Sequence, residues 1–209
     1  VSQPFTIYAL PRSRTAWLAE FLSYKDWQCG HEQAIFWRSI DDIKRFYALP
    51  RTGAVETATA QAWRIIHHHV PNIKAVVIRR PIDDVMASML NVDLNGEMHY
   101  DIPRLKKVME YGDRVLAEIA SQPGTLSLDF ADLDTMEGCK SLFEFCLPYE
   151  FDQGWWEYIK NVNIQVDVLS AIRLYHENKP EIEGFKKALW REMRHLAQAG
   201  LISKEKHFA

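Results

Sequence analysis

Residues Ile73–Ile78 read Ile-Lys-Ala-Val-Val-Ile, a run of apolar and β-branched side chains without the regular polar alternation of a half-exposed strand. Such a run suits a central strand covered on both faces, and strands of that kind belong to parallel sheets whose crossover helices lie above and below. The rest of the first 130 residues fits that frame, because strand-like and helix-like spacings alternate. Phe5–Ala9 predicts a first strand, stopped at Leu10-Pro11. From Thr15 the spacing changes to Trp17, Leu18, Phe21 and Leu22, the stripe of a helix whose first turn Ser13 or Thr15 can cap. Asp26–Gly30 predicts a short second strand. Helices are expected over Ile40–Ala48 and Glu56–His69, separated by Pro50-Arg51-Thr52-Gly53. Arg79-Arg80-Pro81 ends the central strand, and Val85, Met89 and Val92 mark the helix after it.

Asn91–Pro103 is polar, contains Asn95-Gly96 and reads as a loop or lid. Leu105, Val108, Gly112, Val115 and Ile119 then mark a long amphipathic helix, and Thr125–Leu128 a short strand ended by Asp129. Beyond Ala131 the β signal fades. Met136, Cys139, Phe143 and Cys146 mark one further helix, and Ile182, Phe185, Leu189, Met193 and Leu196 the last, while Asn163–Leu169 carries both periods and is assigned to neither. The expected fold class is α/β: a three-layer, P-loop NTPase-like parallel sheet flanked by helices, with a helical C-terminal third. One domain is expected over residues 1–209, with a nucleotide-binding core in 1–150 and a helical extension of it in 151–209.

Charge narrows the choice of partner. Twenty-five Lys and Arg against 28 Asp and Glu give a net charge of −3, so no overall basic field exists to hold nucleic acid or an anionic membrane, and any anion site has to be local. No apolar run approaches the roughly 20 residues of a membrane helix, and the N-terminal stretch lacks a secretory pattern; a cytoplasmic chain with no membrane partner is the expectation. Cys29, Cys139 and Cys146 show no CxxC or Cys/His spacing, so neither a disulfide framework nor a zinc site is indicated. His67-His68-His69 offers three consecutive rings that point different ways on a helix, and Trp155-Trp156 reads as core packing.

The turn after the first strand, Leu10-Pro11-Arg12-Ser13-Arg14-Thr15-Ala16-Trp17, carries the clearest chemistry. A strand-to-helix turn aims backbone N–H groups and the positive end of the helix dipole at one point, a place for phosphate or sulfate. Arg12 and Arg14 add charge, and Ser13 and Thr15 add hydroxyl donors. An ordinary Walker A loop, GxxxxGKS or GxxxxGKT, is excluded because no glycine precedes Gly30.

PRSRTAWL resembles the 5′-phosphosulfate loop of sulfotransferases, usually PRSGT or PKSGT. IKAVVIRRPIDDVMAS is similar to the same family's 3′-phosphate segment, in which a buried strand ends in Arg, then Pro, acidic residues and a helical Ser. LSLDFADL is a fainter parallel to the family's acidic "YEDL"-type segment, and the likeness spans roughly residues 5 to 150, with parallels among small bacterial and phage proteins of this kind. The resemblance implies a single sulfotransferase-like domain and 3′-phosphoadenosine 5′-phosphosulfate as donor. Pro11, Arg12, Ser13, Arg14, Thr15 and Ala16 would hold its 5′ end, Arg79 and Ser88 its 3′-phosphate, and adenosine 3′,5′-bisphosphate would be the product. Arg14 stands where the family commonly has Gly and so cannot adopt a glycine-only conformation. The C-terminal RKGxxGxW element is absent, with Gly184-Phe185-Lys186-Lys187 its nearest echo.

Sulfuryl transfer to a hydroxyl or amine needs an in-line acceptor, a base and positive charge on the leaving phosphate oxygen. Arg12 is the expected stabiliser of that oxygen, and no metal is expected. Cys29-Gly30-His31-Glu32 resembles the CGEE segment of tyrosylprotein sulfotransferases, where the second Glu is the base. Glu32 takes that place, with His31 the neighbouring alternative. The acceptor and the oligomeric state are not encoded in any readable motif. Two other readings stand beside the sulfotransferase: a divergent nucleotide kinase, to which Asp129 would lend a Walker B aspartate, and a catalytically silent nucleotide-binding or assembly protein on the same fold.

Overall fold

In the computed structural model, which describes residues 3–92, 101–164, 173–174 and 176–202, β1 (Phe5–Ala9), β2 (Gln28–His31), β3 (Thr52–Glu56), β4 (Lys74–Arg79) and β5 (Leu126–Asp129) form one sheet. Its order is β2-β3-β1-β4-β5, and every pairing is parallel. The run Ile73–Ile78 supplies β4, and Ala75 to Ile78 are buried as expected of a strand covered on both faces. Each fully buried Val or Ile there contributes about 1.5–3 kcal/mol relative to exposure.

Helices cover both faces. α1 (Thr15–Leu22), α6 (Met136–Cys146) and α7 (Gln153–Lys160) pack on the face made by Phe5, Ile7, Val55, Val76 and Ile78. The opposite face, with Tyr8, Ala54, Ala75 and Val77, carries α2 (Ile40–Ala48), α3 (Trp63–His69), α4 (Ile82–Leu90), α5 (Ile102–Ala120) and Phe185 of α8 (Lys179–Gln198). This division is the one that right-handed crossovers give: β1 to β2 steps one way along the sheet, whereas β2 to β3, β3 to β4 and β4 to β5 step the other way, so their helices pass over opposite faces. Trp156 is buried on α7, and Trp155 donates its indole N–H to the Phe21 carbonyl at 2.9 Å, so the tryptophan pair serves the core. No helix among the described residues is long and apolar enough to cross a membrane.

Three sequence expectations change. Thr52–Glu56 is a strand, not a spacer followed by helix, and the helix expected from Glu56 begins only at Trp63. Tertiary packing decides this: a Cβ on Gly53 would lie 2.2 Å from the Phe5 ring, so only glycine lets β3 close against β1. Neither Ser13 nor Thr15 caps α1; its N-cap is Arg14, with no side-chain hydrogen bond. α5 starts at Ile102 rather than Leu105, because Asp101 accepts the Arg104 N–H at 3.1 Å and Pro103 sits in the first turn. In the sheet β3 lies between β2 and β1. The lid expected over Asn91–Pro103 falls largely on residues 93–100, and the unassigned Asn163–Leu169 largely on 165–169, outside the described residues.

The chain leaves β1 through α1 toward β2 and leaves neighbouring β4 through α4 and α5 toward β5. Their exits diverge, which opens a crevice at the carboxyl ends of β1 and β4, where open α/β sheets hold ligands.

Candidate anion site at the strand exits

The turn after β1 has two residues in the left-handed region, Arg12 at φ 65° and Arg14 at φ 57°. A non-glycine residue there costs about 1–2 kcal/mol, and left-handed residues set in a turn are an ingredient of backbone nests that bind anions. Arg14 therefore does adopt a conformation that suits glycine. Its guanidinium turns outward, to Asp134 at 2.7 Å and over the Phe130 ring at 5.1 Å. Ser13 is fully buried and its hydroxyl has no protein partner. Pro11 and Ala16 flank it half-buried, and Thr15 opens α1.

The two motifs separated in sequence meet here. Arg12 Nε donates to Ser88 Oγ at 3.2 Å, linking the first turn to α4. Arg80 reaches the same turn, donating to the Arg12 carbonyl oxygen and lying over Phe130 at 4.3 Å from the ring centre. Its Nε is buried and unpartnered. Burial lowers the Arg80 pKa from its ordinary value; Asp84 opposes the shift, and the charges of Arg12 and Arg14 add to it. A guanidinium pressed by two others gains from a bound anion. Arg79 has a different setting: it forks onto Asp113, with Nη2 at 2.8 and 2.7 Å from the two carboxylate oxygens and Nε at 3.2 Å. Beside it, Arg80, Ile82, Lys106, Asp113 and Asp129 line an open cavity of about 470 Å³. Asp129 and Asp132 cap the short 3-10 turn Phe130–Asp134 reciprocally.

His31 ends β2 and reaches across to α1, its Nε2 2.9 Å from Thr15 Oγ1. Burial lowers its pKa and raises that of Glu32, whose nearest carboxylate oxygen lies 4.0 Å from His31 Nε2. Both groups are thereby shifted toward their neutral forms. Although β2 is not next to β1, the His31 side chain spans the gap and ties this pair to the first turn.

Arg80 is legible in the sequence as the second arginine of the turn after β4, the partner of the Arg12/Arg14 turn around one polyanion. Two further contributors are not. Phe130 lay within a quoted motif, where its position just past β5 was the available signal. Glu56, whose segment has the spacing of a helix, is fully buried at the end of β3, with burial pushing its pKa well up. The histidine triplet behaves as expected for a helix end: His67 packs edge-on to Trp63, and His69 pairs with Glu192 at 2.8 Å. Among the described residues no group of three His, Cys, Asp or Glu side chains converges as a metal site. Neither a scan against models of known protein families nor a comparison with curated proteins returns a match.

Proposed function

We propose that the chain is a sulfuryl transferase that takes 3′-phosphoadenosine 5′-phosphosulfate as donor and a hydroxyl or amine as acceptor. The observation that carries this reading is the meeting of the two arginine-bearing turns, with Arg12 on Ser88 and Arg80 on the Arg12 carbonyl. A sheet order with β1 in its middle and an anion turn at its exit supports a P-loop-like architecture. The residues fit a polyanionic donor: the Ser13 hydroxyl and Arg80 Nε are buried without protein partners, and left-handed Arg12 and Arg14 shape the turn.

When bound, the donor supplies an electrophilic sulfur and a phosphate leaving group. Arg12 and Arg80 would neutralise charge growing on the leaving phosphate oxygen, the role for which preorganised guanidiniums in a partly dry site suit best. Ser13 and the first backbone N–H groups of α1 would hold the 5′ end. Glu32 would take the proton from the acceptor; burial raises its pKa and so makes it a stronger base than an exposed glutamate. His31, on Thr15 at 2.9 Å, would hold the start of α1 and is the alternative base.

The silent-binder reading has one observation in its favour: Arg79, expected on the 3′-phosphate, is engaged by Asp113. Radiolabelled donor with a panel of hydroxyl and amine acceptors tests the enzyme reading, and a thermal shift with adenosine 3′,5′-bisphosphate tests the site. Transfer that Arg12→Ala abolishes supports the proposal. A shift without transfer to any acceptor favours the silent binder, magnesium-dependent ATP consumption favours the kinase, and no shift at millimolar nucleotide refutes the site.

A further inference from the structure

Glu56 ends β3 and Glu32 directly follows the adjacent parallel β2, and each side chain reaches the chain just beyond the other. Ala34 N–H donates to Glu56 Oε1 at 3.2 Å, and Thr57 N–H donates to Glu32 Oε2 at 3.4 Å. Between them the Glu32 N–H donates to the Val55 carbonyl oxygen at 2.9 Å, extending the β2–β3 ladder by one bond. Glu32 itself is left-handed, at φ 52°, a conformation that a glutamate keeps only when its surroundings impose it.

We propose that Glu56 is the positioning residue for Glu32, fixing the turn after β2 through this reciprocal carboxylate–amide clasp so that the Glu32 carboxylate stays at the sheet edge beside His31. The inference rests on the reading of Glu32 as the base. Glu56 is fully buried, whereas Glu32 keeps partial exposure, its side chain 29% accessible. Glu32 from the turn, Tyr8 from β1, Cys29 from β2 and Tyr47 from α2 couple electrostatically to Glu56, and His31 lies 4.0 Å from Glu32. Two neighbouring carboxyls do not both ionise readily, and the more deeply buried one is the one that favours the proton. Burial and the neighbouring Glu32 push the Glu56 pKa up while its Oε1 holds the Ala34 N–H, which favours ionisation at Glu32.

The test compares Glu56→Asp, one methylene too short to reach Ala34, with Glu56→Gln, which keeps both length and carbonyl. Two readouts are taken: amide hydrogen exchange at Ala34 by NMR, and steady-state sulfuryl transfer from the phosphosulfate donor. The expected result for Glu56→Asp is exchange at Ala34 about tenfold faster, the effect of one lost hydrogen bond, with kcat reduced and donor KM unchanged. Glu56→Gln is expected to restore Ala34 protection and to recover most of the lost kcat. Unaltered Ala34 protection in Glu56→Asp overturns the clasp, as does a Glu56→Gln variant that exchanges as fast as Glu56→Asp. Should kcat fail to recover in Glu56→Gln while Ala34 protection does, Glu56 acts through its own proton and the positioning role is refuted. If the unsubstituted chain transfers no sulfuryl group, the enzyme reading fails, and Ala34 exchange still decides the clasp.

Discussion

Replacing Arg80 with methionine removes the guanidinium and keeps an unbranched stem against Phe130. Without ligand, two contacts disappear: the donation to the Arg12 carbonyl, about 1 kcal/mol, and the stacking on Phe130, about 0.5–1 kcal/mol. Against that loss, the variant is relieved of a half-buried charge crowded by Arg12 and Arg14. The two sides nearly offset, so ligand-free stability should change by no more than about 1 kcal/mol. Anion binding has no such compensation. A charge-assisted hydrogen bond to an anion is worth about 1.5–3 kcal/mol, so the Kd for adenosine 3′,5′-bisphosphate should rise about 10- to 140-fold. At a ligand concentration of 100 times the original Kd, stabilisation is about 2.7 kcal/mol; a 100-fold weaker variant would retain only about 0.4 kcal/mol. Titration calorimetry gives the Kd, and thermal unfolding with and without ligand gives the stabilisation. An affinity within about twofold of the unsubstituted chain would refute the convergence of the arginines on one anion. A loss of more than about 3 kcal/mol without ligand would make Arg80 a structural residue instead.

Asp113→Asn should release Arg79 from its fork and tighten bisphosphate binding, with less than about 1 kcal/mol lost in stability because the pair is partly exposed; weaker binding, measured by calorimetry, would mean that Arg79 needs Asp113 to hold its position. Gly53→Ala places a methyl group 2.2 Å from the Phe5 ring, which is itself stacked on Trp27, and should destabilise by about 1–3 kcal/mol in urea unfolding; an unchanged midpoint would show that Phe5 moves freely. Burial depresses the His67 pKa from 6.5 to about 4. Between those values the unfolded chain binds a proton that the native state refuses, so stability falls as pH drops through the window, by about 3 kcal/mol in all. His67→Phe should flatten that acid limb, and an equally steep fall in the variant would assign the limb to other groups.

The strands and helices most readable in the sequence were those whose burial follows one period. β4 is apolar throughout and α1 keeps a clean stripe, so both emerged within a residue or two. β3 did not, because Thr-Gly-Ala-Val-Glu contains a residue with poor strand preference and a charge, and what places it is the Phe5 ring from another strand. The candidate site divides in the same way. Arg12, Ser13 and Arg14 lie in a local turn whose geometry the neighbouring elements dictate, and the turn is where it was expected. The Arg12–Ser88 contact, 76 positions apart in sequence, requires the sheet order, which no local pattern encodes. Glu56 stayed hidden because its role depends on pairing with β2 and on the loss of water around it, neither of which leaves a mark in its own segment.

The candidate anion site draws on the exits of β1 and β4 and on Phe130 beyond β5. During synthesis, β1 emerges from the ribosome long before the strand that pairs on its right, and parallel pairings of this separation form slowly. Half-buried Arg12 and buried Ser13 thus lack their surroundings until about residue 130 has emerged. Under the proposed function, competence for the donor would therefore arrive late in the life of the nascent chain, and the nucleotide would meet a finished sheet rather than nucleate one.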